Sequence, residues 1–465
     1  MRDNTFLRTK NCKKHIFNDV FLYNLRFFII FATKTITNMY RKAIEELRQW
    51  KARKNRKPLI LRGARQVGKT WLMKEFAATC YEKYVYINFE DEEALQHVFE
   101  HDFDISRIIE SLELRFHVSI DKDTLLIFDE IQSARRGVTS LKYFYEKAPE
   151  MHIIVADSML GLSSDESIPV GKVDYMNLYP MTFEEFLMAM GKEKIAETIR
   201  KRNWTVLQTV SDMLIRDLKT YYYVGGMPEA VLAFVENRDY DEVRRIQNNI
   251  LVSYDSNFAK HAPADVVPRI RMVWNSLPSQ LSHENKKFIY GAVKHGSRAK
   301  DFELALQWLV DAGLVIKVNR AKACGLPLNA FEDITAFKLF ALDVGLLSAM
   351  NKVQPETLVT GNELLTTYKG ALTEQFVAQH LETFVDFLFY WSADNSRGEI
   401  DFLIQIDDKI VPIEVKAEEN LKSKSLRFFV EKNTGLHGIR LSMSDYRQQD
   451  WMDNIPLYAI AALKS

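Results

Sequence analysis

Three groups of side chains in this 465-residue sequence have the types and spacing to do chemistry. The first is Gly63-Ala64-Arg65-Gln66-Val67-Gly68-Lys69-Thr70, followed by Trp71. Glycines at its two ends let the backbone turn and bring N–H groups up to phosphate oxygens. Lys69 would bridge the terminal phosphates of a bound ATP, and the Thr70 hydroxyl would hold magnesium. The second group is the pair Asp129-Glu130. Asp129 would support the magnesium through water, and Glu130 would polarise the attacking water. The third is Glu374, Asp401, Glu414 and Lys416. Carboxylates of this kind hold a divalent ion, and the lysine orients water or steadies charge on a phosphate.

These residues work only if the right elements carry them. Leu59 to Leu61 is an apolar run that reads as a buried strand leading into the glycine loop. Leu72, Met73 and Phe76 after the loop share one face of a helix, whose positive end points at the same anion. Strand, loop and helix in that order are what a phosphate-binding P-loop requires. Tyr84 to Phe89 alternates and is rich in β-formers, so it predicts a strand. Thr124-Leu-Leu-Ile-Phe-Asp129 is a buried strand with its acid at the C-terminal edge, the Walker B pattern. His152 to Ala156 predicts another buried strand.

In the last third, 372–381 predicts a helix carrying Glu374. Glu399 to Ile406 and Lys409 to Lys416 predict neighbouring strands. Alternation puts Glu414 and Lys416 on one face, where Asp401 and Glu374 converge with them on a single metal; Asp401 and Glu414 are its expected ligands. Trp391 and Arg397 lie just upstream of Asp401. A lone Glu-x-Lys is more often a solvated strand face.

Between these regions, 205–255 is helical, broken by Gly225-Gly226-Met227-Pro228, which reads as a hinge. Pro268 to Arg320 predicts three short helices and a strand, the pattern of a winged helix-turn-helix. Lys286, Lys287, Lys294, His295, Arg298 and Lys300 would give it a basic face toward DNA phosphates. The other reading of such a module is a spacer or protein contact.

Composition sets the frame. The length calls for two or three domains, and 47% apolar with 27% charged residues is that of a folded protein. Formal net charge is zero, so a basic surface must be local. Cys12, Cys80 and Cys324 are too scattered for a disulfide framework or a zinc site and fit a reducing cytoplasm. Residues 1–38 hold seven Lys and Arg against two Asp, and their patch Phe27 to Ala32 is too short to span a membrane. This leader is expected to be disordered, or to be untranslated with Met39 as the start.

The strand between the two nucleotide motifs, and the glutamate after Asp129, resemble the additional-strand, catalytic-glutamate division of P-loop ATPases, which includes the AAA+ proteins. In that division a polar sensor of the γ-phosphate follows the strand ending at Ala156, which implies Ser158; an ordinary turn or helix cap is the other reading of Ser158. More specifically, 62–70, Asp129-Glu-Ile-Gln132, 169–172, Leu178-Tyr-Pro-Met-Thr-Phe-Glu-Glu-Phe186, Tyr223 to Glu229 and Phe337 to Leu347 follow one another as in a bacterial and archaeal group of AAA-type ATPases with a C-terminal domain of unknown function. That group often has Gly-Ser where this chain has Asp157-Ser158, and the extra carboxylate would repel a γ-phosphate. Glu374, Asp401 and Glu414-x-Lys416 resemble the PD-(D/E)XK nuclease fold. The expected chain is α/β: a leader to 38, an additional-strand P-loop ATPase domain over 39–200, a helical and winged-helix region over 201–345, and a nuclease-like α/β domain over 346–465. ATP and Mg2+ are the expected cofactors. DNA, a second copy or a protein partner are the expected targets. A nucleotide-driven switch with an inactive nuclease-like domain is the alternative.

Overall fold

Continuous apolar runs with no polar alternation suit strands buried on both faces, and these dominate the first half of the chain. The computed structural model describes residues 39–156, 169–283, 285–359, 366–393, 398–417 and 423–464. The leader, Asp157, Ser158 and Arg397 lie outside them. Five strands, β1 (Leu59–Arg62), β2 (Tyr84–Asn88), β3 (Leu125–Asp129), β4 (His152–Ala156) and β5 (Asp174–Asn177), form an all-parallel sheet in the order β2-β3-β4-β1-β5. All residues of β3 and β4 are buried. β4 lies between the P-loop strand β1 and the acidic strand β3, so an additional strand separates the two motifs in space. Crossover helices Lys69–Cys80, Ile105–Phe116 and Gly137–Lys147 join the parallel strands, as such connections require. One face of the sheet carries a core from Ile60, Ile87, Phe89, Phe128, Leu141, Phe144 and Val155.

A helical region follows. Its longest members are Ser211–Val224, Tyr240–His261 and Val267–Leu281. The helix at Phe183 starts in a capping box, in which Thr182 and Glu185 satisfy each other's backbone N–H groups.

The second sheet is mixed and has eight strands: β6 (Val315–Ala321), β7 (Glu332–Ala341), β8 (Phe389–Ser392), β9 (Glu399–Ile406), β10 (Lys409–Val415), β11 (Gly438–Ser442), β12 (Arg447–Gln448) and β13 (Met452–Pro456). Their order is β12-β13-β11-β10-β9-β8-β6-β7. The helices expected in 268–311 are present as Val267–Leu281, the single turn Tyr290–Val293 and Glu303–Asp311. The β6–β7 hairpin after them is not a free wing, because β6 pairs in parallel with β8. One sheet therefore runs through the boundary expected at 345/346. The described residues from 41 to 464 form one compact unit. Among the described residues no helix is long and apolar enough to cross a membrane.

Candidate nucleotide site and the C-terminal acidic cluster

The P-loop has the backbone its glycines were expected to supply. Gly68 precedes the helix Lys69–Cys80 with φ +94°. Gly63 has φ +146°, and a Cβ there would overlap the Leu178 carbonyl oxygen. Only glycine fits this approach of the end of β1 to the residue after β5, where Leu178 N donates to Arg62 O at 2.7 Å. Lys69 is buried, and its Nζ donates to Gly63 O at 2.7 Å and Ala64 O at 2.8 Å. The ammonium thus lies over the loop that would cradle phosphates. Ala64 and Val67 are buried, and Gln66 is exposed with φ +65°. Trp71 lies in the first turn of the helix, half-buried.

The two motifs meet across β4. Thr70 Oγ1 donates to Asp129 Oδ2 at 2.8 Å, and Tyr86 OH donates to the same oxygen at 2.9 Å. Burial, with the Asp129 charge beside it, raises the Tyr86 phenol above its ordinary range, so it stays a donor. Glu130 has φ +50°, and its N–H donates to Ala156 O at 3.1 Å. This bends the chain off the end of β3 and leaves the carboxylate partly exposed. Gln132 Nε2 donates to Glu130 Oε2. Tyr86 and Gln132 are partners that the motif reading missed. Their signal was present: Tyr86 sits in the strand next to β3, and Gln132 two residues beyond the glutamate.

Three further contacts surround the loop, all from residues distant in sequence. Arg41 is buried; it donates through Nη1 to Val67 O at 2.9 Å and through Nη2 to Tyr179 O at 2.6 Å, and pairs with Glu185 at 3.2 Å. Arg65 donates to Asn257 Oδ1 at 2.6 Å and lies 3.2 Å from His261 Nε2. Burial and the Arg65 charge lower the His261 pKa, which keeps the ring neutral beside the guanidinium. Tyr254 OH donates to Arg65 O at 2.9 Å. The helix Tyr240–His261 therefore grips the P-loop through three residues.

The Gly225-Gly226 loop is a clamp and not the hinge read from its glycines. Gly226 N donates to Asp343 Oδ2 at 2.6 Å, and Met181 N donates to Gly226 O at 2.7 Å. A Cβ at Gly226 would overlap Met181 O, and one at Gly225 would overlap Asp343. Three sequence motifs thus meet here: 178–186, 223–229 and 337–347. Two of them belong to the nucleotide-proximal half and one to the C-terminal half.

The C-terminal residues are brought near one another. Glu374 and Glu414 are ion-paired with lysines, yet Glu374 Oε2 and Glu414 Oε2 are buried without a hydrogen-bond partner. Lys286 Nζ lies 2.7 Å from Glu374 Oε1, and Lys338 Nζ 3.7 Å from Glu374 Oε2. Lys338 also pairs with Glu399. Asp401 Oδ2 accepts from Val415 N at 2.7 Å, and Lys416 Nζ lies 2.9 Å from Glu414 Oε1. Burial, then the neighbouring Glu374 charge, pushes the Asp401 carboxyl above its ordinary range. Among the described residues no group of three or more His, Cys, Asp or Glu could hold a metal ion. Where a metal was expected among Glu374, Asp401 and Glu414, Lys286 and Lys338 stand against Glu374. Lys286, expected on a basic DNA-facing surface, is 9% exposed and turned inward. Lys287, Lys294, His295, Arg298 and Lys300 are exposed. Trp391 is a core residue packed on Phe429.

Comparison with known proteins gives three family matches along the chain. Residues 55–187 match the model of an AAA domain, 215–357 a domain of unknown function (DUF8612), and 369–460 another (DUF4143). No curated protein matches the sequence. Among solved structures, the Walker-type ATPase PABY2304 of Pyrococcus abyssi aligns at 14% identity and TM-score 0.41, over 69% of this chain and 97% of its own. The ORC1 protein of Aeropyrum pernix, solved in complex with DNA, aligns at 13% identity and TM-score 0.28, over 67% and 91%. The RuvB Holliday junction branch migration motor of Thermotoga maritima aligns at 12% identity and TM-score 0.28, over 59% and 89%. Scores this low leave function to be argued from the chain's own residues. The glycine loop, the acidic strand end and the added strand between them all lie in the part of the chain, residues 55–187, that matches an AAA domain.

Proposed function

We propose that the chain is a Mg2+-dependent ATPase whose nucleotide state drives its C-terminal half. The observation that carries this reading is the 2.8 Å hydrogen bond from Thr70 Oγ1 to Asp129 Oδ2. It joins a hydroxyl and a carboxylate from two motifs into the hard-oxygen pair that magnesium favours. Bound there by Thr70 and Asp129, the ion would supply charge neutralisation at the phosphates. Lys69 leaves its two loop carbonyls to take the terminal phosphates, and Glu130 accepts a proton from the attacking water while Gln132 holds its orientation. Arg65, gripped by Tyr254, Asn257 and His261, passes a change in loop shape to the helix Tyr240–His261. Arg244 near the other end of that helix donates to Val353 O at 2.8 Å, beyond β7. The free thiols Cys80 and Cys324 accord with a cytoplasmic site of action.

The test pairs two variants. Lys69→Ala is expected to abolish ATP binding, measured by fluorescent-nucleotide titration. Glu130→Gln is expected to keep binding and lose at least a hundredfold in turnover, in the range of a removed general base. Unchanged turnover in Glu130→Gln would refute its role.

For the target, we propose DNA, contacted by the exposed basic segment from Lys287 to Lys300 beside the winged-helix-like helices. The topology of a helix, the antiparallel run β8-β9-β10, a second helix and the parallel strand β11 supports the PD-(D/E)XK-like reading of the C-terminal unit. A second reading, a nucleotide-driven switch that holds a partner without cutting, is favoured by the lysines on Glu374. Plasmid incubated with ATP and Mg2+ or Mn2+ separates them. Cutting that Lys416→Ala removes supports a nuclease, and intact plasmid beside normal ATPase activity supports the switch.

A further inference from the structure

The acidic cluster of the C-terminal unit carries its own counter-charge. Lys338 is 1% exposed and sits in β7, with Val318 opposite on one side and Lys287 bridged on the other. Its ammonium contacts Glu399, lies 3.7 Å from Glu374 Oε2, and acts electrostatically on Asp401. Lys286 takes the other oxygen of Glu374 at 2.7 Å. Lys416 takes Glu414 at 2.9 Å, and buried Arg440 lies within its field. Glu374, Glu399 and Glu414 are thus ion-paired, while Asp401 is held by the Val415 N–H.

From this arrangement we propose that Lys338 Nζ is the resident cation of the pocket, so that the unit takes no divalent metal at Glu374 and Asp401 and cuts no nucleic acid by metal-activated water there. Lys286 is hydrogen-bonded to Glu374 Oε1, and Lys338 stands 3.7 Å from Oε2, which has no hydrogen-bond partner. A divalent ion among the remaining oxygens would place two positive charges beside a buried third one, in a medium that screens poorly. Lys338 is 1% exposed, so moving its ammonium into water means repacking the side chains around it. What the cluster does instead is mechanical. Lys286 lies just after the helix Val267–Leu281, Lys338 on the β6–β7 hairpin, Glu374 on the helix Thr366–Leu381, and Glu399 with Asp401 on β9. The ion pairs latch the winged-helix-like region to the nuclease-like sheet. The carboxylates are therefore retained as structure, in the positions where a nuclease would use them for metal. The inference is independent of ATP hydrolysis at the P-loop, and its failure would leave the turnover measurements untouched.

The test is Mn2+ binding to the full chain without nucleotide, followed by electron paramagnetic resonance of the free ion. Wild type and Asp401→Asn are expected to give the same isotherm. Lys338→Met is expected to gain one Mn2+ site per chain, and adding Asp401→Asn is expected to remove it. A wild-type Mn2+ site that Asp401→Asn abolishes would overturn the proposal. So would a folded Lys338→Met that gains none, or Mn2+-dependent plasmid cutting by wild type that Asp401→Asn abolishes. Should Lys338→Met fail to fold, the wild-type and Asp401→Asn pair decides alone.

Discussion

Replacing Asp343 should loosen the joint between the two halves of the molecule by an amount that can be worked out. Its carboxylate is fully buried and accepts from Gly226 N at 2.6 Å, Leu346 N at 3.0 Å and Gln379 Nε2 at 3.1 Å. Burial pushes its pKa up, while these donors pull it back toward the charged form. Asp343→Ala leaves three donors without an acceptor, at about 1–3 kcal/mol each. Water entering the space recovers part of this, so a loss of about 3–6 kcal/mol is expected. That is a large fraction of the ~5–15 kcal/mol a typical domain possesses. Asp343→Asn keeps the shape but turns an amide N–H toward one of the donors, and should cost about half as much. The assay is urea unfolding followed by circular dichroism, with slopes compared to confirm that the same surface is exposed. A second readout is nucleotide affinity, because the clamped loop leads into Pro228, whose ring lies 3.4 Å from where a Gly68 Cβ would stand. A loss below ~1 kcal/mol in Asp343→Ala would refute the view that this carboxylate ties the halves together.

Two other outcomes follow from single residues. Gly63→Ala should weaken ATP binding at least tenfold by titration, since its Cβ would collide with Leu178 O. Gly171→Ala, also at positive φ but in open space, should leave binding unchanged and cost only about 1 kcal/mol of strain. His380 should make stability fall on acidification. Its Nε2 accepts from Phe183 N at 2.8 Å, and burial lowers its pKa to about 4. The unfolded chain takes up that proton near pH 6.5, before the folded one does, so the neutral ring's contribution is present above that pH and lost as pH falls toward 4. The loss at pH 5 is about 2 kcal/mol, and His380→Gln should lack it when unfolding midpoints at pH 7.5 and 5 are compared. Equal pH dependence in the two proteins would rule this out.

What the sequence made legible was local. The P-loop, the strand ending at Asp129 and the strand ending at Ala156 announce themselves because a few adjacent residues set both conformation and chemistry. Glu399 to Ile406 was legible for the same reason, as an alternating run with acids at its start. β5 was not, since in Asp174–Asn177 only Met176 is buried. Its place comes from pairing with β1. Arg65 gives no hint of Asn257 and His261, which lie 192 and 196 residues away. Lys338 was the hardest. Inside the apolar run Phe337 to Leu347 a lysine reads as a surface interruption, and only the fold reveals acids from a helix and another strand around it. Glycine pairs also mislead in isolation. At Gly225-Gly226 the missing side chains admit close backbone neighbours instead of freeing the torsions.

The larger sheet has two outer strands, one very short and the other covered along part of its length. β12 has only two residues. Along β7, Phe288 N donates to Phe337 O at 2.9 Å, and Gln375 exchanges hydrogen bonds with both backbone groups of Ala341. A side-chain amide and a short stretch of loop thus finish the ladder from within. A strand of a second molecule finds part of this edge already taken, which hinders growth of the sheet from chain to chain, the usual first step toward fibrils.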